Sequence, residues 1–151
     1  YAQGKLVFWS ADPKLVDKDG KAVKEMKFNK CAVADPKLAP YGEAAYETLK
    51  SLKLLDKYQP KFVTGNNIGK TFQFVTGNAE VGFVALSQVY KNGKITEGSG
   101  WIVPSKYYQP IRQDAVLLKH GEKSAAAKSF LKFLQSAEAN KLKQSYGYAT
   151  H

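Results

Sequence analysis

The sequence predicts an α/β fold built on a mainly parallel sheet, and three observations carry that expectation. Short apolar, β-branched or aromatic runs alternate with segments of helical period. One run, Val81–Ala85, is apolar at every position, as a strand covered on both faces requires. Two other runs pass directly into helix-start signals, Pro40 in one and Asn67 in the other.

The elements follow in order. Residues 5–9 are apolar and aromatic and read as a strand closed by Ser10 and Asp12-Pro13. A polar stretch then turns at Asp17-Lys18-Asp19-Gly20; its two aspartates lack the spacing and closing Glu of a calcium loop. Residues 30–34 form a second strand, stopped by Asp35-Pro36, and residues 41–52 a helix with Ala45, Leu49 and Leu52 along one face. A short strand at 61–64 leads through Gly65-Asn66-Asn67 into a helix over 68–76, capped by Asn67 and closed by Gly77-Asn78. After Val81–Ala85, Gly93, Gly98 and Gly100 mark a loop region before a strand at 101–103. Residues 111–118 read as a further strand, broken by Gln113 and Asp114. Ser124 caps a helix over 125–134, and a last helix over 137–146 ends at Gly147. This alternation implies right-handed crossovers. In such sheets ligands sit at the carboxyl ends of strands, beside helix N-termini, so the junctions 35–42 and 65–69 are the places to look.

Composition narrows the function classes. With 44% hydrophobic residues the 151-residue chain has enough apolar material for a core. No apolar run approaches the roughly 18 residues of a membrane span. A formal charge of +10 raises a basic nucleic-acid-binding module as an alternative. Against it, the lysines are scattered singly and Arg112 is the one arginine, whereas base readout and phosphate clamps favour clustered arginine. An enzyme has little to work with. His120 and His151 are the two histidines, His120 lies in a polar turn, and Asp35, Asp114 and Glu80 form no acid–base pair by spacing. Cys31, the one cysteine, excludes an internal disulfide and sits in the apolar run Cys31-Ala32-Val33-Ala34 as a buried strand residue. No catalytic residue, metal ligand or cofactor is expected.

The two junctions match neither the phosphate loop nor the dinucleotide pattern. They offer backbone N–H groups at helix starts, which bind anions through unpaired donors and the helix dipole. In Ala39-Pro40-Tyr41-Gly42, Pro40 occupies a position without an N–H to give, and Tyr41 and Gly42 expose theirs. The Tyr41 hydroxyl adds a donor if the ring folds over the pocket. In Gly65-Asn66-Asn67-Ile68-Gly69, the Asn67 cap leaves the Ile68 and Gly69 N–H groups for a ligand. Taken singly, each junction also reads as an ordinary helix start.

Taken together they resemble a known family. Residues 32–42, Ala-Val-Ala-Asp-Pro-Lys-Leu-Ala-Pro-Tyr-Gly, resemble the anion-binding turn of the periplasmic molybdate-binding proteins of ABC importers. Residues 77–88 resemble a later strand of that family, residues 1–10 the strand leading from its first lobe to its second, residues 108–115 the strand leading back, and Tyr146-Gly147-Tyr148 its terminus. The resemblance implies a type II periplasmic binding-protein fold, with one complete lobe and the C-terminal part of the other. Residues 1–10 would be the crossing strand, 11–110 the second lobe, and 111–151 the return strand and C-terminal helices of the first lobe. Tyr41 would bind through its hydroxyl and N–H and Ile68 through its N–H, with Pro40 and Asn67 shaping the two turns. Where some members place a further tyrosine, this chain has Ala85.

The implied ligand is molybdate or tungstate, held without a cofactor or a directly bound metal, and the implied partner is the membrane permease of an importer facing the periplasm. A receptor for another oxyanion such as sulfate is the near alternative. The family's earlier first-lobe segment, whose hydroxyl-rich helix starts complete the anion cage, has no match here. A segment upstream of Tyr1, signal peptide included, is therefore expected. The helices over 125–146 would lack their usual packing partners, so the fragment is expected to self-associate.

Overall fold

The computed structural model describes residues 1–150; His151, the last residue of the expected return segment, lies outside the described residues. A five-stranded sheet has the order β4-β3-β5-β2-β8, with β2 Leu6–Ser10, β3 Cys31–Ala34, β4 Phe62–Gly65, β5 Val81–Ala85 and β8 Ser99–Ile102. Strand β3 runs parallel to both β4 and β5, while β2 runs antiparallel to β5 and to β8. The sheet is thus mixed. Every strand but β2 points the same way, and β2 enters between β5 and β8 in the opposite sense.

Two helices cover the sheet on opposite faces. Helix α2 (Pro40–Ser51) belongs to a cluster with Leu6, Phe8, Cys31, Val33 and Phe83. Helix α4 (Ile68–Gly77) places Val75 in a second cluster with Val7, Trp9, Ala32 and Val84. The alternation within β2 sends Leu6 and Phe8 into the first cluster and Val7 and Trp9 into the second, and Ser10 is buried with its hydroxyl donating to the Glu80 carbonyl. Aromatic packing fills the first cluster, with the Phe8 ring centroid 5.0 Å from that of Phe83 and 6.0 Å from that of Phe28.

Short elements complete the fold. Helix α1 (Lys21–Glu25) starts at Gly20, whose φ of 82° is left-handed and whose missing Cβ leaves room for the Trp101 ring. Helix α3 (Leu55–Tyr58) follows α2, and β6 (Tyr90–Lys91) and β7 (Lys94–Ile95) form a hairpin. Strand β1 (Ala2–Gly4) pairs antiparallel with β9 (Ile111–Gln113), and Gln3 also exchanges two backbone hydrogen bonds with Ala149 at 2.8 and 2.9 Å. Three distant parts of the chain therefore meet beside the main sheet.

The strand expected over 111–118 stops at Gln113, because its partner β1 is itself only three residues long. Beyond it Val116 and Leu118 are exposed. Helices α5 (Ala125–Phe133) and α6 (Ala137–Ser145) are capped by Ser124 and Ser136. Within them Ala139 is the one buried residue, and Phe130 and Leu142 are each 58% exposed. No helix among the described residues is long and apolar enough to cross a membrane.

Candidate functional site

The two expected junctions lie at the same edge of the sheet, at the carboxyl ends of adjacent parallel strands. Asp35, just past β3, donates its N–H to the carbonyl of Gly65 at the end of β4 (2.7 Å). Its own carboxylate accepts the Lys37 N–H at 2.8 Å and holds the turn into α2. Gly42 lets α2 start close to β3, since a Cβ there would collide with the Ala34 carbonyl. At the second junction a Cβ on Gly65 would lie 2.7 Å from the Thr71 hydroxyl, so glycine allows α4 to fold back over its strand.

Pro40 is the first residue of α2, and Tyr41 follows with no N–H bond to any described residue. Gly42 departs from the expectation: its N–H donates to the Ala39 carbonyl at 3.0 Å. The first turn of α2 is tight enough to close this short-range bond, so Gly42 is no ligand donor. Asn67 caps α4 as expected, its Oδ1 accepting the Lys70 N–H at 2.8 Å. The Ile68 and Gly69 N–H groups stay uncommitted among the described residues. The half-buried Ile68 side chain packs on the apolar cluster that contains Tyr41, which ties the two helix starts together through the core.

The Tyr41 ring is buried beneath β1. A Cβ on Gly4 would collide with its hydroxyl, so glycine in β1 makes the space the phenol fills. That hydroxyl has no hydrogen-bond partner among the described residues, and it is not among their buried unpaired side-chain atoms. Burial, with the neighbouring Tyr148 and Tyr108 phenols adding to it, pushes its pKa well above the ordinary tyrosine value. Tyr41 is therefore a neutral donor across the working range of pH.

Three further side chains shape this edge. The Gln88 amide bridges two elements: its Oε1 accepts the Ala85 N–H at 3.0 Å and its Nε2 donates to the Ile68 carbonyl at 3.3 Å, fixing the start of α4 to the end of β5. The Tyr108 hydroxyl accepts the Leu6 N–H at 3.1 Å. The Tyr148 hydroxyl lies 3.1 Å from the Ser87 hydroxyl. No local signal marks Gln88, because Ala85 has no polar side chain to cap with and the Ile68 contact lies 20 residues away. No group of three or more His, Cys, Asp or Glu side chains forms a metal-binding cluster among the described residues.

A chain with uncommitted amides at two helix starts and a neutral phenol beside them suits a small oxyanion. A family model described as bacterial extracellular solute-binding protein matches residues 1–149. The chain belongs to that family. Among its relatives, this chain is 52% identical to the molybdate-binding protein ModA of Rhodobacter capsulatus, over 99% of its own length and 58% of that protein's. It is 50% identical to the molybdate-binding protein ModA of Azotobacter vinelandii, over 98% of its own length and 59% of the relative's. The solved periplasmic molybdate-binding protein of Azotobacter vinelandii superposes with a TM-score of 0.92 at 39% identity, covering 100% of this chain and 67% of that one. The chain thus spans rather less than two thirds of the length of the curated relatives it matches.

Proposed function

We propose that this chain forms one wall of a molybdate or tungstate site in the substrate-binding component of an ABC importer. The observation that supports it most directly is the placement of the uncommitted Tyr41 and Ile68 N–H groups at the ends of adjacent parallel strands, with the Tyr41 hydroxyl a further free donor. Pro40 and Asn67 hold the two turns in shape. Residues 1–10 and 111–113 act as the crossing strands, residues 11–110 as the second lobe, and the remainder as the C-terminal helices of a first lobe. The opposing wall comes from that first lobe. Closure of the two lobes on the anion creates the form that docks on a membrane permease in the periplasm. The protein binds and releases without catalysis.

Neutral donors suit a dianion in a site closed from water, because they stabilise the charge without a counter-ion whose own desolvation must be met. With donors of one kind, discrimination from the smaller sulfate falls to cavity size. Calorimetry on the protein carrying both lobes, with molybdate, tungstate, sulfate and phosphate, tests the assignment. Molybdate and tungstate are expected to bind with similar affinity and sulfate far more weakly; binding of sulfate alone refutes it. For the isolated chain we further propose self-association through the exposed apolar faces of α5 and α6.

A further inference from the structure

Strand β8 is an outer edge of the five-stranded sheet. The Val103 N–H donates to the Leu6 carbonyl at 3.0 Å, and β8 continues in register with Phe8 opposite Trp101 and Ser10 opposite Ser99. Antiparallel ladders alternate, so Ser99 and Trp101 turn their backbone groups toward β2, while Gly100 and Ile102 turn theirs away from the sheet. Free edges are usually blunted by a charge, a proline or a covering segment. The sequence of β8, Ser-Gly-Trp-Ile, carries neither charge nor proline.

This edge floors a groove of about 660 Å³, within the range of roughly 300–1,000 Å³ usual for binding sites. One wall holds Val16 and Lys18; the other is the β6–β7 hairpin, with Lys94 and Ile95. The rim is cationic. Lys18 and Lys94 are exposed, and the one ion pair among the described residues joins Lys27 to Glu25. Asp17 also lines the groove, but its carboxylate is committed to the N–H groups of Asp19, Lys21 and Ala22 at 2.8–3.0 Å. The groove therefore combines three features: the outward-turned backbone of the buried Gly100 and of Ile102 along its floor, with no partner among the described residues, apolar walls, and two exposed lysines against the single Asp17 carboxylate at its mouth. It lies on the opposite side of the sheet from the β3 and β4 ends that hold the anion-site residues.

We propose that the groove docks an extended acidic segment of a partner protein, which adds to the sheet as a further strand beside β8. Backbone pairing to Gly100 and Ile102 sets the register. Alternate side chains of the segment meet Val16, Ile95 and Ile102, and its carboxylates meet Lys18 and Lys94. The test uses the isotope-labelled chain and a capped hexapeptide of alternating valine and glutamate, with a valine–lysine peptide as control. The glutamate peptide is expected to slow hydrogen exchange at the Gly100 and Ile102 amides at least tenfold and the lysine peptide to leave them unchanged. The double substitution Lys18→Glu and Lys94→Glu, both at exposed positions, should reverse that preference. Absence of binding in the millimolar range, or binding that leaves those two amides unprotected, overturns the proposal. So does protection that appears without peptide as chain concentration rises, since the occupant is then a second copy.

Discussion

Tyr41 combines burial of its ring with a hydroxyl that has no partner among the described residues, and the balance decides what replacing it does. Phenylalanine keeps the packing beneath Gly4 and removes one donor. A hydrogen bond to a charged group contributes about 1.5–3 kcal/mol, so Tyr41→Phe should weaken molybdate binding by the protein carrying both lobes roughly 10- to 100-fold, with the melting temperature nearly unchanged. Calorimetry and thermal unfolding on the same variant check both halves. Glu80 offers a pH test away from the site. Burial raises its pKa, but N–H bonds from Lys30 at 2.9 Å and Asn29 at 3.2 Å outweigh that, and the net shift is downward from 4.5. A carboxyl lowered on folding stabilises the protein above its unfolded pKa and loses that contribution as pH falls through the folded one. Glu80→Gln should therefore destabilise the protein at neutral pH and flatten the acid limb of the stability curve, as denaturant titrations at several pH values would show. At this scale the sequence marked Tyr41, Ile68, Pro40 and Asn67 but not the roles of Gln88 or Tyr148. Those roles depend on contacts made 20 and 61 residues away along the chain, which no local pattern encodes.

Elements were legible where a periodic pattern met a chemical stop signal. Val81–Ala85 was read at its observed bounds because it is apolar throughout and covered on both faces. The start of α4 was read from Asn67, and Asn67→Ala should cost about 1 kcal/mol through loss of the Lys70 N–H bond, with Asn67→Asp keeping most of it. Chemical denaturation of both variants measures this. Helices α1 and α3, with five and four residues, are too short to show a period and went unread. The apolar residues beyond Gln113 do not continue β9 to Leu118, because apolar character alone does not supply a pairing partner. Helices α5 and α6 show the same lesson in reverse: their pattern is amphipathic, yet their apolar faces look outward. The paired substitution Phe130→Ser and Leu142→Ser should change folding stability by less than about 1 kcal/mol while suppressing concentration-dependent association in sedimentation. Phe83→Ala, in the core, should cost about 3–5 kcal/mol.

Across the whole molecule, a formal charge of +10 is spread over a surface with one ion pair among the described residues. Such a field draws in a small dianion and fades as salt shortens the Debye length from about 30 Å at 0.01 M to about 10 Å at 0.1 M. Stopped-flow measurements on the protein carrying both lobes should show the association rate for molybdate falling over that range with little change in dissociation rate. The general plan of alternating strands and helices was legible from the sequence. The reversed direction of β2 was not, because side-chain pattern reports coverage of a strand's faces and is silent about its polarity. That placement has a consequence for how the chain is made. Strand β2 leaves the ribosome well before its neighbours in the sheet, residues 81–85 and 99–102. Until Ala85 has emerged its five buried residues wait without either flanking strand, and until Ile102 without the second, so the nascent polypeptide stays open and threadable over that stretch.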